Sequence, residues 1–139
     1  MRKHPAALRI AQTVLFLLAP VYAQSGVVRA TIPFEFTADQ QVIAAGKYCI
    51  AGDGSATVRF TRLDGSHPVE IITVPLRGAA QATPRIVFHS YGDRHFLAEI
   101  WLGESNMGRQ VYASAEEVAM AGTTKQEVTT IIATTAATK

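Results

Sequence analysis

The sequence predicts an all-β fold: a single antiparallel β-sandwich or small β-barrel of about seven strands, with a short C-terminal helix possible. Three observations carry this. Apolar residues recur at period two in several short runs. Turn residues separate those runs. The chain has 139 residues, 48% hydrophobic and 17% charged, which suits one domain with one core and leaves no room for a second full domain.

Residues 1–23 read as a signal peptide. Arg2, Lys3 and Arg9 make a basic start, and Ile10 to Ala19 is mostly apolar. Pro20 and the small-residue site Val21-Tyr22-Ala23 follow, with cleavage expected after Ala23. The apolar run of 10 residues is short against the ~20 that span a hydrocarbon core. The expectation is an exported chain, periplasmic or extracellular, with no transmembrane segment after cleavage. Removing the three leader cations leaves 10 basic against 11 acidic residues. That balance gives no electrostatic footprint for nucleic acid.

Residues 24–122 read as the all-β domain. In Ile32-Pro33-Phe34-Glu35-Phe36 the apolar residues alternate, and Pro33 places this strand at an edge or a bulge. Ala44-Ala45-Gly46 turns into a strand over Lys47 to Ala51. Gly52-Asp53-Gly54-Ser55 is a turn, and Ala56 to Leu63 alternates again. After Asp64-Gly65, the run Val69 to Leu76 is apolar on both faces, which predicts a covered interior strand. Gly78 to Pro84 reads as a loop. Arg85 to Ser90 and His95 to Leu102 form a hairpin with Gly92-Asp93 at its tip. Its register sets Ser90 opposite His95, His89 opposite Phe96 and Phe88 opposite Leu97. Strict alternation then puts Phe88, Leu97 and Trp101 on one face, and Val87, Phe96 and Ile100 on the other. Ser105 to Gly108 reads as a loop and Arg109 to Ala113 as a short strand. Ser114 and Glu117 have capping-box spacing for a helix that ends near Gly122. Residues 123–139 form a Thr/Ala-rich tail, read as partly disordered or as an edge strand.

Several of these segments, in this order, resemble a group of small exported proteins of uncharacterised function from acidobacterial genomes. The segments are Ile32 to Phe36, Ala45-Gly46-Lys47-Tyr48, Val87 to Leu97, Trp101, and Gly108-Arg109. The resemblance runs from about Thr31 to Arg109 and implies export and a compact β domain. It carries over no catalytic residue. Ile43-Ala44 stands where Leu-Pro is usual in the group, and His95 where Tyr is usual.

Few residues suggest chemistry. The single Cys49 excludes a disulfide within the chain and leaves an intermolecular one open; its strand position favours a small buried side chain. No G-x-S-x-G elbow or phosphate loop occurs, and Ser66-His67 sit in a turn sequence. Glu35, Glu70 and Glu99 fall in strands, where solvent exposure accounts for them. His89, Asp93 and His95 are the best metal candidates, with His67 as a further ligand to consider; a two-residue hairpin loop points His89 and His95 to opposite faces, and a three-residue loop would set them on one. Tyr91, Asp93, Arg94 and His95 at the tip are the candidate recognition group, with Arg94 expected to pair with Asp93 or Glu99. No catalytic residue, metal or cofactor is assigned. The expectation is a non-catalytic binding or interaction module of the cell envelope, with a protein or small-molecule partner. The alternative is a small metal-dependent protein or enzyme using the His89/Asp93/His95 region.

Overall fold

A computed structural model describes residues 27–52, 56–81, 83–103 and 105–135. The expected leader and the centre of the turn at 52–55 lie outside them. The chain forms strands β1 Val27–Ile32, β2 Phe36–Ala38, β3 Gln41–Ile43, β4 Gly46–Gly52, β5 Thr57–Arg62, β6 Val69–Ile72, β7 Val74–Gln81, β8 Arg85–Tyr91, β9 Arg94–Trp101 and β10 Ser105–Gln110. Helix α1 Ala115–Ala121 and strands β11 Glu127–Ile132 and β12 Thr134–Thr135 complete it. One sheet runs β12-β1-β4-β5-β6. The other runs β11-β8-β9-β10-β7, with β2 beside β9 and β3 beside β2. All pairings are antiparallel except the short β2–β9 contact. Neither sheet closes on itself, so the architecture is a sandwich.

The strands outnumber the runs read from sequence because three runs are cut where the chain crosses between sheets. Pro33 has no N–H to continue a ladder, and β1 ends just before it. The alternation survives the break: Ile32 and Phe36 are buried in the core and Phe34 packs against it. The run Val69 to Leu76 is cut at Thr73, whose N–H and hydroxyl both donate to the Ala56 carbonyl, at 2.7 and 2.9 Å. It is therefore not the interior strand expected. Its halves are outermost strands of opposite sheets, and Ile71 is fully buried while Ile72 is 60% exposed. The third cut is at Ala133, buried, whose N–H donates to the Pro84 carbonyl; the chain also changes sheet between β3 and β4. It joins β11 to β12, so the described part of the tail pairs with both sheets. Threonine suits this role, being β-branched and at home on a half-buried pleat.

The β8–β9 hairpin is the spine of the second sheet. Its register matches the sequence prediction from Tyr91–Arg94 back to Phe88–Leu97, and Gly92 has φ +67, as a type II′ turn needs at its first central position. Beyond that point a β-bulge intervenes. Val87 faces Glu99, so Ala98 is the extra residue, and its carbonyl accepts from Val111 N–H at 2.9 Å. The bulge exchanges two side chains relative to strict alternation. Ile100 joins Phe88 and Leu97 in the core between the sheets. Trp101 goes with Val87 and Phe96 to the outer face.

That outer face needs its own cover. Trp101 lies across the neighbouring strands, where a Cβ at Gly78 or Gly108 would stand 2.7 Å from its ring. Gly78 belongs to β7 and Gly108 to β10, so both predicted loops are strands here, kept narrow for the indole. Towards the tip the cover is α1. Ser114 caps it by accepting from Glu117 N–H at 3.1 Å, and Gly122 ends it. Cys49 takes an outward position on β4, half-buried rather than in the core.

Gly108→Ala is expected to lower stability by about 1–3 kcal/mol, as over-packing does. It should also shift the emission of Trp101, the chain's one tryptophan, to the red. Unchanged melting and emission would show that the indole does not lie on the glycine. Phe88→Ala should cost about 3–5 kcal/mol in chemical denaturation, as large core truncations do; a loss below 1 kcal/mol would remove Phe88 from the core.

Candidate functional site

The four hairpin-tip residues do not form one surface. Tyr91 is buried, 2% exposed, and points outward from the sheet towards α1. Its hydroxyl donates to Glu117 Oε2 at 2.9 Å and lies 3.1 Å from Gln126 Oε1. His89 Nδ1 reaches the same Glu117 oxygen at 2.9 Å. The Glu117 carboxylate, itself buried, thus ties the helix to two side chains of β8. Burial first, and then the bond to Glu117, push the Tyr91 phenol up to about 12 from its ordinary value of 10. Arg94 pairs with Glu116 on the helix, not with Asp93 or Glu99, and lies 5.3 Å over the Phe96 ring. Glu99 is taken by the Trp101 indole N–H at 2.8 Å.

His95 lies on the opposite face. Its ring stacks on Phe34 with centroids 3.8 Å apart, and its Nδ1 lies 2.8 Å from Ser90 Oγ. His89 and His95 are therefore separated by the sheet, as the register predicts. Among the described residues no group of three or more His, Cys, Asp or Glu side chains is placed to hold a metal ion. Asp93 is exposed and lines a recess of about 230 Å³ with His95, Arg94 and Glu35. The third strand carboxylate, Glu70, is ion-paired with Arg59.

A second group of residues, not singled out together in the sequence, meets at Tyr48. The Tyr48 hydroxyl donates to the Ala44 carbonyl at 2.7 Å, and the Arg62 guanidinium lies 5.4 Å over its ring. The short strand β3 comes close to β6 here, where the Gln41 amide donates to the Glu70 carbonyl at 3.3 Å. Between these strands is a recess of about 320 Å³ lined by Val42, Ile43, Ala44, Tyr48, Arg62, His67 and Val69. A further recess of about 310 Å³ shares Tyr48 and adds Arg29, Lys47, Leu63 and Ile132. Neither lining contains a carboxylate.

The strands of this sheet carry Arg29, Lys47, Arg59 and Arg62 against Glu70 alone, and Glu70 is spent on Arg59. Asp64 lies between Arg62 and His67, two residues that line the first recess. Its carboxylate accepts from Ser66 Oγ at 2.6 Å and Ser66 N–H at 2.8 Å, and these bonds hold it below the usual carboxylate range. His67 follows with φ +53, a left-handed conformation uncommon outside glycine, asparagine and aspartate.

Ser66-His67 as a turn pair, and Ile43-Ala44 and Tyr48 within the resemblance, were the advance signals, and none of them pointed to a shared site. Positions 42–44, 48, 62 and 67–69 are brought together by sheet pairing over long separations. The chain matches no known family model, no curated protein and no solved structure.

The Tyr91 phenol gives a pH prediction. Because its folded value is the higher one, its contribution is whole below pH 10 and is lost as pH rises through 12. The unfolded chain releases that proton first. Ultraviolet titration should show a phenol ionising near pH 12, absent in Tyr91→Phe. A wild type whose phenols have all ionised by pH 11 would refute the buried Tyr91–Glu117 contact.

Proposed function

We propose that this protein is a non-catalytic binding module of the cell envelope, or of the space outside the cell. The observation that carries the reading is the pair of recesses at Tyr48. Aliphatic walls, with cations and no carboxylate in the lining of an open mouth, are the make-up of small-ligand sites, which are mostly apolar with a few convergent polar groups. At the hairpin tip Tyr91 is engaged within the fold, while Asp93, Arg94 and His95 line a separate recess of about 230 Å³. The leader, and the resemblance to an exported group, support the location.

The test uses the full chain expressed with its own leader in a bacterial host. The expected product is recovered outside the inner membrane, at the mass of a chain starting at Gln24. Retention of the intact chain in the membrane would overturn the location. Melting of the exported protein is then followed with divalent metals, chelator, cell-wall sugars and small amphipathic ligands. A ligand at 100 times its dissociation constant adds ~2.7 kcal/mol, several degrees for a domain of this size. The reading expects a shift with an organic ligand and none with chelator. A shift with metal that is abolished by His89→Ala would replace it with a metal-dependent role.

A further inference from the structure

We propose that the recess between β3 and β6 binds a small amphipathic monocarboxylate, with the apolar body between Val42 and Val69 and the carboxylate at Arg62 and His67. This rests on the binding-module reading and names its ligand class. Three features of the site argue for it.

The first is size. At about 320 Å³ the recess is at the small end of ligand pockets, so it suits a compact molecule rather than a polymer or a full lipid. The second is the lining. Val42, Ile43, Ala44 and Val69 are aliphatic, and Val42 is 66% exposed on β3, an apolar side chain left uncovered at the mouth. The Tyr48 hydroxyl is already used on Ala44, so the ring offers a face and not a donor.

The third is charge. Among the described residues no carboxylate lies within ion-pair distance of Arg62. Its guanidinium is held over Tyr48, with Nη2 3.4 Å from the Ala45 carbonyl, so the fork is oriented before any ligand arrives. A guanidinium so held matches a carboxylate's two oxygens. Asp64 stands close enough to Arg62 and His67 to be influenced by both. Its charge offsets part of that of Arg62, which disfavours a ligand carrying two negative charges. His67, whose φ is left-handed just ahead of Pro68, lines the recess with its Nδ1 3.0 Å from Ser66 Oγ, which leaves Nε2 for a ligand.

The experiment is calorimetric titration of the exported chain with octanoate, against three comparison compounds. Acetate has the charge without the tail, octylamine reverses the charge, and octyl phosphate has the second charge. Octanoate is expected to bind, and each of the others at least tenfold more weakly. Arg62→Gln should weaken octanoate at least tenfold. Because Arg62 also packs on Tyr48, Val42→Glu is the companion variant. It adds an acid at an exposed position and should abolish octanoate binding while leaving the melting temperature of the unliganded protein unchanged.

No octanoate binding at millimolar concentration overturns the proposal. So does binding unaffected by either variant, or octylamine or octyl phosphate binding as tightly as octanoate. If octanoate is silent while another organic ligand shifts melting, the carboxylate site fails and the binding-module reading stands. If octanoate binds and both variants abolish it, both hold.

Discussion

The bulge at Ala98 is the constraint on which the second sheet depends. One extra residue in β9 sends Ile100 inward and Trp101 outward. The sheet then has large apolar side chains on both faces, and both must be covered. The inner face meets the first sheet. The outer face is covered at one end by Trp101 lying over Gly78 and Gly108, and at the other by α1. The two glycines follow from that outward turn; the Ser114 cap and the buried Glu117 belong to the cover over Tyr91 and Phe96, which face outward by alternation alone. Without a helix above the sheet, Tyr91 and Phe96 would be left in water, and without Tyr91 and His89 the buried Glu117 carboxylate would have lost its partners from β8.

Crossings between sheets do a second job. At Pro33, Thr73 and Ala133 the chain leaves one sheet for the other, and each break has a local physical cause: a missing N–H, a threonine with two bonds to one carbonyl, and a buried alanine tied to Pro84. Strands that change sheets make the corners of a sandwich. They also bring β3, which follows the crossing at Pro33, close to β6, which precedes the one at Thr73. The recess at Tyr48 lies between those two strands. Its location is a product of topology, and no short motif records it.

Charge shows the same division. The charges of residues 24–139 sum to nearly zero, yet the strands of the first sheet are basic, while α1 over the second places Glu116 and Glu117 against Arg94 and His89. Composition measures the sum and folding sets the distribution. The balance that argues against a nucleic-acid partner is thus compatible with a local cationic site.

The sequence by itself determined the all-β class, the turn and pairing of the β8–β9 tip, the capped helix and the separation of His89 from His95. Each rests on short-range physics: alternation on a pleat, glycine at a positive φ, a serine three residues before a glutamate. Only the tertiary structure decided the rest. A bulge depends on what lies on both faces of a strand, so the places of Ile100 and Trp101 were beyond a reading of period two. A strand's position in its sheet depends on its neighbours, so the run at Ile71-Ile72 looked interior and proved outermost. The glycines at 78 and 108 looked like loop residues because their partner is an indole from another strand. Arg62, His67 and Val42 became neighbours only when long-range pairing closed the mouth around Tyr48.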